Sequence, residues 1–111
     1  MSFVCLLQVH LFLPENGSLK GKRKQLNSIK ALLQRRFGAA VAETEHHDLW
    51  QRSTLTVALV AREAGSLAAN ADALERFVES RFPDGAHFER SLLAAEELAA
   101  SGQTSPDSQW A

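Results

Sequence analysis

Cysteine is nearly missing from this 111-residue chain, which carries Cys5 alone. One thiol excludes an internal disulfide and a multi-cysteine zinc site, so a reducing compartment, the cytoplasm, is expected. Glycine and proline are sparse as well, at six and three, which excludes a collagen-like repeat and a low-complexity chain. No apolar run approaches the roughly 20 residues that a membrane-spanning helix needs. The apolar start, Phe3 to Leu13, has no basic flank, is interrupted by Gln8 and His10, runs into Pro14 and offers no small-residue cleavage site. It does not read as a secretory signal.

What is there is an ordinary globular composition, 45% hydrophobic and 23% charged, which points to one domain. At this length folding hides roughly 60–65% of the unfolded surface, enough for one core without staples.

The formal net charge of −1 conceals an uneven distribution. Residues 16–42 contain Lys20, Lys22, Arg23, Lys24, Lys30, Arg35 and Arg36 and no acid, whereas residues 63–111 contain nine acids against three bases. A basic segment without neutralising acids attracts an anionic partner, with RNA the obvious class. The alternative is plain helix solvation, for which Lys and Arg are also well suited.

Phe3 to Leu13 alternates and reads as a long strand, with Phe3, Cys5, Leu7, Val9, Leu11 and Leu13 facing a core and Val4, Leu6, Gln8, His10 and Phe12 facing the other way. Pro14-Glu-Asn-Gly17 marks a turn. The period then changes. Leu26, Ile29, Leu33 and Phe37 make one helical stripe, with Ser18 as N-cap and Gly38 as terminator. Residues 39–45 and 53–62 read as second and third strands, the latter with Leu55, Val57 and Leu59 inward. A second helix is expected from a Ser66 cap to about Arg81, with Leu67, Ala71, Leu74 and Val78 buried and Pro83-Asp-Gly85 stopping it. Residues 86–98 combine a strand-like and a helix-like half. The expected organisation is a single domain over residues 1–98 with a polar tail over 99–111, in which Trp110 has no evident role.

The order strand, helix, strand, strand, helix, strand is the ferredoxin-like α+β arrangement, an antiparallel four-stranded sheet with both helices on one face. Its open face, with Gln8, His10, Phe12, Thr54, Thr56 and Ala58, is available to RNA or to a second copy of the chain.

Glu43, Glu45, His46, His47 and Asp48 are potential metal ligands. On an extended chain, however, only Glu43, Glu45 and His47, or His46 and Asp48, can share a side, and no HExxH helix or phosphate loop helps them. No metal or other cofactor is expected. Cys5, at an inward strand position, is expected to be inert. Trp50, beside Arg52, reads either as a platform for stacking an unpaired base or as a plug closing the core edge, with Asp48 and Arg52 paired across the turn. Lys20, Lys22, Arg23 and Lys24 bring several cations to the free N–H groups of a helix start, which suits phosphate. With Arg52 they form the expected nucleic-acid-binding set.

Two stretches, Ser18-Leu-Lys-Gly-Lys-Arg23 and Val41-Ala-Glu-Thr-Glu-His-His-Asp-Leu-Trp-Gln-Arg52, resemble the YlxP-like family of small bacterial proteins of unassigned function. The resemblance runs from about Phe3 to Leu93. It implies a ferredoxin-like fold with a fourth strand after Gly85. Family genes often stand beside those for translation initiation and ribosome maturation, which implies an RNA or ribosomal-subunit partner. It supplies no catalytic residues. Two departures are Gly21, where relatives usually carry an acid that would complete a capping box with Ser18, and the tail after Leu98. The expectation is a non-enzymatic RNA-binding or ribosome-associated factor. The alternatives are a homodimerising module using the open sheet face, and a small metal-dependent enzyme using Glu45, His47 and Asp48.

Overall fold

A computed structural model of the chain describes residues 1–101. It contains β1 (Phe3–Phe12), α1 (Leu19–Phe37), β2 (Ala40–Glu45), β3 (Arg52–Ala61), α2 (Ala64–Arg81), β4 (Ala86–Ala94) and α3 (Ala95–Ser101). The strands form one sheet in the order β2-β3-β1-β4 with antiparallel neighbours throughout. This is the ferredoxin-like topology, with β1 and β3 inside the sheet and β2 and β4 at its edges.

The core lies between the sheet and the two long helices. Cys5, Leu7, Val9 and Leu11 of β1 and Leu55, Val57 and Leu59 of β3 meet Leu26, Ile29 and Leu33 of α1 and Leu67, Ala71, Leu74 and Val78 of α2. Each of the larger side chains, once buried, contributes about 1.5–3 kcal/mol of transfer free energy. Across α2 and β4, Arg90 bonds Asp72 at 2.8 Å and Glu75 at 3.1 Å. Its hydrogen bonds to these two carboxylates hold its guanidinium above the ordinary value, so the positive charge is firmly kept.

Helix α1 begins where the capping chemistry places it: Ser18 Oγ accepts from Gly21 N–H at 3.0 Å. It ends at Gly38 in the left-handed conformation, φ 66°, a region that suits a residue without Cβ. The start of α2 differs from expectation. Glu63 is the N-cap and makes no side-chain cap bond, while Ser66 lies inside the first turn and its hydroxyl donates to the Glu63 carbonyl. The helix is held by its buried stripe rather than by a cap.

The mixed segment after Gly85 splits at Ala94. Its first half is edge strand β4, whose Phe88 and Leu92 pack on the core, and its Ala- and Glu-rich half is α3. Regular structure therefore continues past the expected domain boundary at 98 and through Ser101. Trp110 lies outside the described residues.

Candidate nucleic-acid interface

Chain geometry brings the α1 start and the β2–β3 connection to the same end of the molecule. Leu13 N–H bonds the Gln51 carbonyl at 2.8 Å, and Gln51 Nε2 donates to the Pro14 carbonyl at 3.0 Å. Asn16 completes the link. Its Nδ2 donates to the Ser18 carbonyl at 2.9 Å and to the Trp50 carbonyl, so one side chain ties the Trp50 loop to the first turn of α1. The absent Cβ of Gly21 makes this possible, because a Cβ there would sit 2.6 Å from Asn16 Oδ1. Composition marks Asn16 only as a turn residue, so its role as a tether was not legible.

Lys20, Arg23, Lys24 and Arg52 are exposed. None of them forms an ion pair with another described residue. Lys22 departs from the set. It is 2% exposed, its Nζ lies 2.9 Å from Glu43 Oε2, and it also donates to the His46 carbonyl. Lys22 stands four, seven and eleven residues before Leu26, Ile29 and Leu33, which is the spacing of the buried stripe. Its charge is consumed inside the protein, and it is withdrawn from the phosphate-binding set. Arg81, which the sequence did not single out, lines a groove between α1 and the end of α2 together with Lys24, Gln25 and Ser28.

Glu43 also departs from expectation. It stays in regular register opposite Leu55, two residues after Val41 and on the same inward side, and a register shift between Glu43 and Glu45 then sets Glu45 opposite Thr54 on the other side, as a bulge does. Ser53 Oγ donates to Glu43 Oε2 at 2.7 Å. Burial pushes the Glu43 carboxyl up, but the Ser53 hydroxyl bond and the Lys22 ammonium outweigh it, and the net shift is downward. His47 donates its Nε2 proton to the Glu43 carbonyl, and His46 stands 3.7 Å from Glu45. Among the described residues no three His, Cys, Asp or Glu side chains gather into a metal-binding group, so Glu45, His47 and Asp48 do not converge. Cys5 is wholly buried, and desolvation pushes its thiol up, away from the reactive thiolate.

Trp50 is 54% exposed and does not plug the core. It lines a shallow groove with Phe12, Asp48, Leu49, Gln51 and Arg52. The Arg52 guanidinium lies over the Phe12 ring, 5.6 Å from its centroid, within cation–π range. Arg52 therefore rests on an aromatic, and the expected Asp48–Arg52 pair does not form.

The open sheet face is polar at this end. His10 bonds Thr54 Oγ1 at 3.0 Å and Glu89 Oε1 at 2.8 Å, while Thr56 bonds Gln8 and Thr44. Thr54, expected to be available there, is fully buried with its hydroxyl engaged by His10. Toward the other end Val60 stands 72% exposed.

This frame and this loop are those of a known family. Residues 4–90 match the family model described as Protein of unknown function (DUF503), and the chain belongs to that family. It is 30% identical to the uncharacterized protein YlxP of Bacillus subtilis (strain 168) over 80 residues, which is 72% of this chain and 83% of the relative. Among solved structures it is similar to the de novo designed protein Foldit4, with a TM-score of 0.55 and 8% identity over 85% of this chain and 98% of the other, a likeness of fold alone. A de novo designed protein with a ferredoxin fold overlays at a TM-score of 0.41 and 13% identity, over 97% of this chain and 91% of the other. The topology assignment rests on the strand order. No described helix is long and apolar enough to cross a membrane.

Proposed function

We propose that this protein is a non-enzymatic, cytoplasmic RNA-binding factor, associated with a ribosomal subunit or structured ribosomal RNA, that holds phosphate backbone at the start of α1. Lys20, Arg23 and Lys24 supply the cations, and Arg52 extends the positive surface onto the neighbouring loop. Trp50 offers its exposed indole to an unpaired base. The observation that carries this reading is the Asn16 tether, which makes the unpaired cations and the stacking indole one surface rather than two. Phosphate contacts give affinity and register, and an aromatic face adds stacking energy without demanding a sequence.

The test is binding of the purified protein to ribosomal subunits and to structured ribosomal RNA across a salt series, beside a Lys20→Glu, Arg23→Glu, Lys24→Glu variant with Lys22 left intact. Affinity that falls steeply with salt and is lost in the variant supports the proposal. Failure to bind at low salt removes it.

A second reading has the open sheet face pairing two copies, and the exposed Val60 favours it. Mass in solution that rises with concentration, and ceases to rise in a Val60→Lys variant, would support that reading.

A further inference from the structure

Asp48 poses a problem for a surface that binds RNA. It is among the residues lining the same groove as Phe12, Trp50 and Arg52, and it is exposed. No ion pair or hydrogen bond engages it among the described residues, and Arg52, four positions on, is turned over Phe12 instead. Its loop is a hydrogen-bonded turn, with Leu49 N–H on the His46 carbonyl and His46 at φ 66°, so the acid projects from a defined backbone rather than from a loose one. An unpaired negative charge beside a nucleic acid repels phosphate. It is tolerated where it meets hydrogen-bond donors, and single-stranded RNA carries these on the ribose 2′-hydroxyls, which every nucleotide shares, and on the base edges, which differ from base to base.

The bases differ in what they offer a carboxylate. Guanine presents two adjacent donors on its Watson–Crick edge, N1–H and the N2 amino group, which match the two acceptor oxygens of one carboxylate. Adenine and cytosine each present one amino donor there beside ring acceptors that repel it, and uracil presents one N–H between two carbonyls. A carboxylate next to a stacking indole therefore selects guanine.

We infer that the Phe12–Trp50 groove is a guanine-reading subsite for unpaired RNA, in which Trp50 stacks on the base and Asp48 accepts from N1–H and N2–H. Arg52, beside the ring, meets the phosphate that follows. The inference rests on the proposed RNA-binding function and adds base specificity to it. Asp48 is here a specificity-determining residue, whereas the cations of α1 supply affinity without regard to sequence.

The experiment measures binding of the full chain at low salt to a labelled oligouridine carrying one central guanine, and to the same strand with inosine, adenine or cytosine in its place. One bidentate contact discriminates by roughly ten-fold or more, so the guanine strand is expected to bind about ten-fold tighter than the adenine and cytosine strands. Inosine, which lacks the N2 amino group, should fall between. Asp48→Asn should remove the preference by weakening the guanine strand alone, and Trp50→Ala should weaken all strands. Equal, salt-sensitive affinity for every strand overturns the guanine assignment while leaving phosphate binding in place. A uniform rise in affinity in Asp48→Asn overturns it too, since Asp48 then acts only as a repelling charge. No binding of any strand, even at low salt, overturns both the subsite and the RNA reading beneath it.

Discussion

Lys22 of α1 and Glu43 of β2 form an ion pair beneath the surface, Nζ to Oε2 at 2.9 Å, with side chains 2% and 19% exposed. It lies beside the surface proposed to bind RNA and joins the helix carrying the exposed cations to the strand leading into the Trp50 loop. Buried ion pairs seldom add net stability over apolar groups of equal volume, but breaking one leaves a charge without compensation.

Lys22→Met is therefore expected to destabilise the fold by about 2–4 kcal/mol, since Glu43 keeps some access to water. Urea unfolding with an unchanged slope checks it. The double variant Lys22→Met, Glu43→Leu should recover much of the loss. If it is as unstable as the single variant, the pair contributes positively rather than merely needing both partners.

Stability should depend on pH through Glu43. Its folded carboxyl lies below the ordinary 4.5, so the unfolded chain takes up a proton first as pH falls. The stabilisation is complete above that unfolded value and is lost as pH drops through the lower folded one. Wild type should lose more stability than Glu43→Gln between about pH 5 and pH 3. Parallel unfolding curves for the two proteins across that window would contradict the assignment.

Lys20 and Lys22 are two residues apart but should behave oppositely. Lys20→Ala is expected to leave stability within about 0.5 kcal/mol while lowering the salt slope of RNA binding by about 0.7–0.9. If Lys20→Ala leaves that slope unchanged, Lys20 touches no phosphate.

Two glycines separate a rigid close approach from a yielding one. A Cβ on Gly85 would lie 2.7 Å from the Phe12 carbonyl oxygen, which is backbone of the central strand. Gly85→Ala should cost about 1–3 kcal/mol. A Cβ on Gly21 meets side chains alone, the end of Asn16 at 2.6 Å and the Ser18 hydroxyl at 3.3 Å, and the Asn16 end can swing away. Gly21→Ala should keep stability within about 1 kcal/mol, because helix propensity gained offsets the Asn16 bonds lost. Its signature is faster amide exchange over residues 49–52. Unchanged exchange there would mean that Asn16 does not tether the loop.

Cys5, wholly buried in β1 with its thiol pushed up by desolvation, should resist alkylating reagents in the native protein and react only as the chain opens. Labelling rates are expected to track unfolding, rising with urea in step with the loss of structure. Rapid labelling of the native state would place the thiol at the surface.

Much of this fold is legible before any coordinates. Alternation in β1, the period of Leu26, Ile29 and Leu33, the Ser18 cap and the Gly38 stop are each local signals, and each stands as expected. The cap of α2 differs from expectation because Ser66, by type the better capping residue, falls within a first turn that already begins at Ala64, and its hydroxyl bonds back to the Glu63 carbonyl. The candidate site was half legible. Exposed cations on a helix start follow from the pattern of residues, but the β2 register shift that separates Glu45 from the side of Glu43 and the meeting of Glu43 with Lys22 leave no local mark.

The sequence by itself determined the elements, their order and the apolar stripes that face the core, because those depend on periods of two and 3.6 residues and on neighbours a few positions away. Lys22, expected among the exposed cations, precedes Leu26, Ile29 and Leu33 at helical spacing, but its burial is decided by the carboxylate that packing sets against it. Only the tertiary structure decided what each polar group does. Glu43 meets Lys22, Asn16 reaches Trp50 and His10 engages Thr54 across chain separations of 21 to 44 residues. Whether a charge is spent on a partner or left for a ligand depends on which residues packing brings within about 3 Å, a property of the folded chain that local spacing does not contain.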